Sequence, residues 1–167
     1  MKKTFFIFLV IVLSLNIKPT IGQTSDLTRL MFIRHAEKIE FSGMDPQLTE
    51  EGIERSKKWA AFFEKRGIDA IYSTKTKRTL STAAPISELT NIDIIVYDAR
   101  TVDIKLLAKV NKGKTVVIVG HSNTIPKMVN KLLGEERYGL IEDDNHGNLY
   151  VVTIENGKAT AGLMNIK

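Results

Sequence analysis

The sequence predicts an α/β fold, a three-layer α/β/α sandwich around a mostly parallel sheet with one antiparallel edge strand. Short apolar segments alternate with segments of helical periodicity, as is typical of strands joined by helical crossovers. The run TVVIVG, residues 115–120, is rich in β-branched residues and has no charge, which indicates a strand buried on both faces. The last segment, residues 148–166, has the pattern of a hairpin that turns at Asn156–Gly157.

Four strands and four helices are predicted before the hairpin, in alternation. The strands are 30–33, 68–72, 92–97 and 115–120, and the helices cover 49–67, a segment from about Lys77, 103–110 and a segment from Ile125. The second helix must accommodate Pro85, whereas Pro126 is tolerated in the first turn of the fourth.

The first helix has the clearest boundaries. Thr49 is suited to cap its start, and Gly67 is suited to end it. Four residues recur at helical spacing on one face, which we expect to be the buried one. These residues are Ile53, Ser56, Ala60 and Phe63.

Residues 1–22 have the pattern of a secretory signal peptide that is removed. Lys2 and Lys3 precede the apolar run TFFIFLVIVLSLN, which is too short to span a bilayer comfortably. Thr20 and Gly22 then have the spacing of small residues at a signal-peptidase site. An uncleaved anchor is the alternative. The expected mature protein is one domain, residues 23–167, that is periplasmic or secreted.

Charge and cysteine content narrow the function classes. Residues 1–22 hold three lysines and no acid, so 21 of the 24 bases remain against 19 acids, a net charge of about +2. No run of Lys or Arg is interleaved with aromatic residues, so nucleic-acid binding is not predicted. The absence of cysteine excludes disulfides, a thiol nucleophile and a Cys-based metal site.

Polar and titratable residues follow each of the predicted parallel strands. In open α/β sheets, ligands bind at the carboxyl ends of the strands, so these residues are candidates for one site. They are Arg34 and His35 after the first strand, residues 73–78 after the second, 98–100 after the third and His121 after the fourth.

Two arginines and two histidines on one pocket predict a phosphate site. Guanidinium groups bind phosphate in a bidentate way with permanent charge, and a neutral imidazole is a nucleophile. Phosphoryl transfer to histidine needs in-line placement and donors for the equatorial oxygens. We expect Arg34, Arg78 and His121 to supply those donors. His35 is then aimed at phosphorus, and free backbone N–H groups near Asn123–Thr124, at a helix start, add to the cradle.

The segments RHAEK, LTEEG, YSTKTKRTLSTA and VVIVGHSNT have the order and spacing of motifs in a known family. Residues 31–154 thereby resemble the histidine phosphatase superfamily, which has the phosphoglycerate-mutase-like fold. The resemblance implies that His35 is the phosphorylated nucleophile. It also implies that Arg34, Arg78 and His121 bind and stabilise the transferring phosphoryl group, with no metal ion or other cofactor.

The proton donor to the leaving group departs from the family's pattern. One branch has Asp directly after the second His, where this chain has Ser122. Other branches have Glu shortly after the third strand, where YDARTVD offers Asp98 and Asp103. Aligning Arg100 with the family's arginine puts Asp103 at the position of that Glu, so Asp103 is the candidate donor. The alternatives are that Asp98 is the donor or that the protein has no donor. Without a donor, we expect good turnover only of substrates whose leaving group departs without a proton, such as phosphohistidine or aryl phosphates.

Four further residues have plainer interpretations. Glu37 and Lys38 either line the pocket or form an exposed ion pair. Lys75 belongs to a basic cluster that is expected at the surface. His146, which follows several acids, is expected in a solvated loop, with a metal site as the alternative.

The sequence therefore predicts an exported phosphatase that hydrolyses phosphomonoesters or phosphohistidine through a phosphohistidine at His35, without a metal. The expected partners are small phosphorylated substrates or phosphoproteins, with no nucleic acid and no stable membrane association after signal cleavage. A non-catalytic phosphate-binding module of the same fold and a mutase-type phosphotransferase are the alternatives.

Overall fold

The computed structural model describes residues 27–40 and 43–166. The strands are β1 Thr28–Arg34, β2 Ala70–Thr74, β3 Ile94–Tyr97, β4 Thr115–Gly120, β5 Asn148–Glu155 and β6 Lys158–Asn165. The helices are α1 Glu50–Glu64, α2 Lys77–Thr90, α3 Ile104–Val110 and α4 Ile125–Leu133. The signal peptide expected at residues 1–22 lies outside the described residues. Within the described ranges, no helix has the length and apolar character needed to cross a membrane.

The six strands form one mixed sheet in the order β3-β2-β4-β1-β5-β6. The first four strands of this order are mutually parallel, β5 is antiparallel to β1, and β6 is antiparallel to β5. The predicted α/β sandwich with a mostly parallel sheet is confirmed. Its antiparallel strand is β5, which lies one position inside the edge because β6 pairs along its outer side.

Side chains of β1 alternate between two cores, one on each face of the sheet. Leu30 and Phe32 pack with residues of α3 and α4, whereas Met31 and Ile33 pack with residues of α1 and α2. Burying each such side chain stabilises the fold by about 1.5–3 kcal/mol relative to leaving it exposed. Because the strand is fixed on both faces, the residues that follow it are held in place.

Helix α1 begins at the predicted cap but buries a partly different set of residues. The Thr49 hydroxyl accepts a hydrogen bond from the Gly52 N–H at 3.1 Å. Ile53, expected inside, is 45% exposed, so that prediction was wrong. Gly52 occupies the inner face instead, because its lack of a side chain lets α1 approach the backbone of Glu37. The other buried positions are Ser56, Trp59, Ala60 and Phe63.

The close approach at Gly52 predicts a large cost for a small change. In Gly52→Ala, the new Cβ would lie 2.2 Å from the Glu37 carbonyl oxygen, a backbone atom two residues beyond His35. We expect the free energy of unfolding, measured by chemical denaturation, to fall by about 1–3 kcal/mol or more because the backbone must shift. Gly139→Ala is the matched control, since a Cβ there meets no atom within 4 Å. Equal stability of the two variants would contradict the packing described.

The C-terminal hairpin turns where the sequence predicts. Asn156 and Gly157 have φ angles of 51° and 77°, in the left-handed region that a tight Asn–Gly hairpin turn requires. In the pairing of β5 with β1, Leu149 is opposite Ile33. The start of β5 therefore lies at the carboxyl end of β1, beside the residues that follow it.

Candidate phosphate site

Four predicted residues converge at the carboxyl edge of the sheet. Arg34 is the last residue of β1 and pairs in register with Gly120, the last residue of β4. The His35 N–H donates to the Gly120 carbonyl at 2.9 Å, which brings the two histidines together. The ring centroids of His35 and His121 are 5.6 Å apart. Arg78, in the first turn of α2, has its Nη2 3.4 Å from Nδ1 of His121.

His35 is held with one ring nitrogen free. Its Nδ1 lies 2.8 Å from the Ala36 carbonyl oxygen, which can only accept, so Nδ1 carries the proton and donates it. The lone pair of the neutral ring is therefore on Nε2. Burial, with Arg34 and His121 nearby, lowers the pKa of His35 to about 3. The imidazole is thus neutral at physiological pH and is a competent nucleophile at Nε2.

His121 has the opposite tautomer. The Arg78 guanidinium has only donors, so Nδ1 of His121 accepts, and Nε2 carries the proton. That Nε2–H donates to the Thr74 hydroxyl at 2.9 Å, and Thr74 donates in turn to the Thr79 hydroxyl at 2.9 Å. Burial, followed by the charge of Arg78 and Arg34, lowers the pKa of His121 to about 4. The positive charge beside His35 therefore comes from the arginines.

Each of the two guanidinium groups has one N–H donor that makes no hydrogen bond within the described residues. Nη1 of Arg34 donates to backbone carbonyls of the loop before β5, those of Glu142, Asp143 and Asn145. Within the described part of the chain, the buried Nε atoms of Arg34 and Arg78 have no hydrogen-bond partner. A buried charged donor without an acceptor is costly, so such donors usually meet a bound group. Both donors belong to a site that suits an oxyanion.

A cavity of about 710 Å³ opens beside these residues. Arg78, His121 and Asn123 line it, as predicted, and so does Lys75. His35 is only 3% exposed and does not line this cavity. The Thr124 N–H donates to the His121 carbonyl at 3.2 Å, so it is not free to bind an anion as the sequence suggested.

Asp45 was not singled out from the sequence, and it orders the start of α2. Its Oδ1 accepts a hydrogen bond from the Lys77 N–H at 2.9 Å and lies 3.6 Å from Nη1 of Arg78. The carboxylate thus holds both the helix start and the guanidinium. Its role is to position Arg78.

The two candidate proton donors lie in different places. The Asp103 carboxylate caps α3 by accepting from the Lys105 N–H at 3.1 Å, and it lies 3.5 Å from Nζ of Lys131. That backbone hydrogen bond lowers the pKa of Asp103, and the residue does not line the cavity. Its position argues against the predicted donor role. Asp98 does line the cavity, and its carboxylate accepts from the Arg100 N–H at 2.8 Å.

Glu37 and Lys38 do not pair with each other. Glu37 lies 2.6 Å from Nε of Arg55, a residue of α1, and Lys38 lies 2.5 Å from Glu40. Glu37 therefore joins the segment after His35 to α1. Neither residue lines the cavity beside His121.

His146 lies at the site, although the sequence interpretation placed it elsewhere. The expected solvated loop was wrong, because His146 is 8% exposed and its Nδ1–H donates to the His35 carbonyl at 2.8 Å. A strand antiparallel to β1 must begin at the carboxyl end of β1, and this topology was the signal that could have located it. As for the metal alternative, no three His, Asp or Glu side chains among residues 27–40 and 43–166 are grouped to hold an ion.

The buried neutral imidazoles make stability depend on pH. His35 and His121 have pKa values of about 3 and about 4, against 6.5 in an unfolded chain, so the unfolded state binds more protons below pH 6.5. Their contribution is complete above about pH 6.5 and is lost as the pH falls toward 4 and 3. We expect the free energy of unfolding to be about 5 kcal/mol lower at pH 4.5 than at pH 7, about 2.5 kcal/mol from each histidine. Denaturant titrations at several pH values in this range measure the free energy of unfolding. For His121→Gln, we expect this free energy to change less with pH than in the wild type. A free energy of unfolding that does not change with pH would contradict the burial of neutral imidazoles.

The fold is an α/β sandwich, and the residues at its carboxyl edge suit an oxyanion beside a neutral imidazole. Residues 30–101 match the family model of the histidine phosphatase superfamily (branch 1). The chain is also 35% identical over 78 residues to Phosphoserine phosphatase 1 of Hydrogenobacter thermophilus. That alignment covers 43% of this chain and 37% of the relative, so the chain matches little more than a third of the relative's length.

Solved structures share the fold at low sequence identity. The mycobacterial glucosyl-3-phosphoglycerate phosphatase has a TM-score of 0.70 at 16% identity, covering 84% of this chain and 100% of that one. Phosphoserine phosphatase of Entamoeba histolytica has 0.64 at 22%, covering 84% and 98%. The protein histidine phosphatase SixA, complexed with tungstate, has 0.66 at 19%, covering 82% and 96%. These likenesses show that the chain shares the fold of those phosphatases. The family model of the histidine phosphatase superfamily matches residues 30–101, which is less than half of the chain.

Proposed function

We propose that this protein is a phosphatase that hydrolyses phosphomonoesters through a covalent phosphohistidine at His35. The observation that carries the proposal is the state of that imidazole. Its Nδ1–H is committed to the Ala36 carbonyl, its ring is neutral, and Nε2 has no hydrogen-bond partner within the described residues. The guanidinium groups of Arg34 and Arg78 supply the charge that binds phosphate beside it.

The reaction has two displacements at phosphorus. In the first, Nε2 of His35 forms a bond to phosphorus while the ester P–O bond breaks, and the leaving oxygen takes a proton from a donor or from water. In the second, water attacks the phosphohistidine, the P–N bond breaks, and inorganic phosphate leaves with the imidazole restored. The unpaired Nε donors of Arg34 and Arg78 stabilise the equatorial oxygens in both steps.

The substrate is a small phosphorylated molecule or a phosphohistidine. The relatives point this way, since they are named as phosphatases of phosphoserine, glucosyl-3-phosphoglycerate and protein histidine. Lys75, Arg78 and Arg100 line the cavity, which favours anionic substrates.

Metal independence and export belong to the same proposal. Two arginines and two imidazoles provide the positive charge and donors that a metal ion supplies elsewhere. The signal-peptide pattern of residues 1–22 supports a periplasmic or secreted location.

Hydrolysis of p-nitrophenyl phosphate by the purified protein tests the activity. We expect turnover in the presence of EDTA at an unchanged rate. Loss of turnover with EDTA would contradict metal independence. A protein that binds phosphate but shows no turnover between pH 4 and pH 8 would favour the non-catalytic phosphate-binding module. Transfer of the phosphoryl group to an added alcohol in preference to water would favour the phosphotransferase.

The positions of the two acids predict unequal effects on activity. We propose Asp98 as the proton donor because it is the member of the pair that lines the cavity. Asp98→Asn is expected to lower kcat for an alkyl phosphate by about 10²-fold, because a poor leaving group needs the proton, and to change p-nitrophenyl phosphate hydrolysis little. Asp103→Asn is the matched control and is expected to change neither rate. Equal rates for wild type and Asp98→Asn with the alkyl phosphate would show that the carboxylate donates no proton.

A further inference from the structure

A third histidine lies against the predicted nucleophile. The ring centroids of His146 and His35 are 5.7 Å apart, almost the same separation as the 5.6 Å between His35 and His121. The two outer imidazoles come from different strand connections, since His121 follows β4 and His146 precedes β5. His35 therefore has two imidazole neighbours at nearly equal distances.

The hydrogen bond of His146 defines which nitrogen is available. The His35 carbonyl can only accept, so Nδ1 of His146 carries a proton and donates it at 2.8 Å. Nε2 of His146 has no hydrogen-bond partner among the described residues. A largely buried imidazole thus keeps one nitrogen unused beside a site that also leaves the Nε of Arg34 unpaired.

The charges around His146 keep it neutral when no anion is bound. Burial is the main cause that lowers its pKa, and the charges of Arg34 and Arg55 lower it further. Glu37 and the Nδ1–H bond to the His35 carbonyl act in the opposite direction, and Glu40 also lies within electrostatic range. Entry of a dianion would add two negative charges to this environment and favour the imidazolium.

The position of His146 beside His35 bears on which oxygen of a bound anion it would meet. In an in-line displacement, the leaving group departs on the side of phosphorus away from His35. The attacking nitrogen lies about 3 Å from phosphorus, and a proton donor lies about 3 Å from the leaving oxygen on the opposite side. A donor to the leaving oxygen must therefore lie about 6 Å or more from the attacking nitrogen. With its ring centroid 5.7 Å from that of His35, His146 is placed beside the nucleophile, where a non-bridging oxygen of a bound anion would lie.

We propose that His146 is a third imidazole of the phosphate site, which takes up a proton at Nε2 when an oxyanion binds beside His35 and donates it in a hydrogen bond to a non-bridging oxygen. The inference rests on the phosphate site of the proposed function but not on turnover. The ligand class is a tetrahedral dianion, free or as part of a phosphomonoester. Binding is then linked to uptake of a proton by this residue.

Two substitutions separate this role from a purely structural one. The amide of Asn matches the position of Nδ1, so His146→Asn keeps a donor for the His35 carbonyl and removes Nε2. The longer amide of Gln matches Nε2, so His146→Gln keeps a donor toward the anion, loses the bond to the His35 carbonyl and cannot titrate. Sulfate is the probe because it remains a dianion throughout pH 6–8, so any pH dependence of its affinity belongs to the protein.

Sulfate affinity is measured by isothermal titration calorimetry from pH 6 to pH 8. We expect the sulfate affinity of the wild type to fall as the pH rises. Its decrease should be steeper than that of His146→Asn by a factor of up to about ten per pH unit, because the wild type takes up one more proton on binding. At pH 6, His146→Asn should bind sulfate about tenfold more weakly. His146→Gln should share the shallower pH dependence and lose less affinity. In the wild type, the ¹⁵N resonance of His146 Nε2 should move to its protonated position when sulfate is added.

The outcomes are distinguishable. Equal affinity and equal pH slope for wild type and His146→Asn would overturn the inference, and so would an unchanged His146 resonance, which requires no variant to fold. A wild type that binds no sulfate would overturn it together with the phosphate site. Sulfate binding with the predicted His146 dependence, in a protein that hydrolyses no phosphomonoester, would support the inference and contradict the proposed function.

Discussion

His35→Ala is expected to abolish phosphatase activity, lowering kcat for p-nitrophenyl phosphate by about 10⁴-fold or more. The change removes the nitrogen that bonds to phosphorus, and the other two imidazoles of the site are placed differently. His121 turns its lone pair toward Arg78, and His146 is placed beside the nucleophile. The measurement is the steady-state rate with p-nitrophenyl phosphate. Because p-nitrophenolate leaves without a proton, a lower rate reports the loss of the nucleophile and not the loss of a proton donor.

The same variant should keep its fold and its affinity for phosphate. The His35 backbone N–H bond to the Gly120 carbonyl is unaffected by the substitution, and the arginines remain. We expect His35→Ala to have the far-UV circular dichroism spectrum of the wild type and a sulfate affinity within about tenfold of the wild-type value. Activity that survives in a folded His35→Ala protein would show that another group is the nucleophile.

Arg78→Ala is expected to lower kcat/KM by about 10²–10³-fold, because a preorganised charged donor at the transferring phosphoryl group is lost. Arg78 has its Nε buried and unpaired, its Nη2 beside His121 and its Nη1 beside Asp45, so its position is fixed before substrate binds. Arg78→Lys should restore little, since an ammonium group cannot reproduce the guanidinium's several fixed donors. Steady-state kinetics on p-nitrophenyl phosphate measure both variants.

Lys77→Ala is the matched control for Arg78. Lys77 is adjacent in α2, is exposed and does not line the cavity, so its loss removes one positive charge without removing a phosphate ligand. We expect kcat/KM within about twofold of the wild type at 0.15 M salt, where exposed charges are screened. A similar loss in both variants would mean that Arg78 acts through general electrostatic attraction.

The strand ends were predictable because they depend on local patterns. The β-branched run of β4 and the apolar run of β1 identify buried parallel strands, and their carboxyl ends must share one edge of the sheet. Arg34, His35 and His121 therefore came together as expected. Arg78 did as well, since helix α2 begins one residue before it.

The residues that were misplaced depend on contacts distant in the chain. Gly52 lies on the inner face of α1 because of the Glu37 backbone, which helical periodicity does not contain. His146 reaches the site through the pairing of β5 with β1, more than 100 residues earlier in the chain. Asp103 was placed by its distance along the chain from Arg100, whereas the start of α3 turned its carboxylate to the Lys105 N–H.

Trapping of the phosphoenzyme tests whether His35 is the nucleophile. Brief reaction with a phosphomonoester, rapid quenching at alkaline pH and peptide mass spectrometry report which residue carries phosphate. We expect one phosphoryl group on His35, stable in base and lost in acid, and none in His35→Ala. Phosphate on another residue, or turnover without any covalent phosphoenzyme, would contradict it.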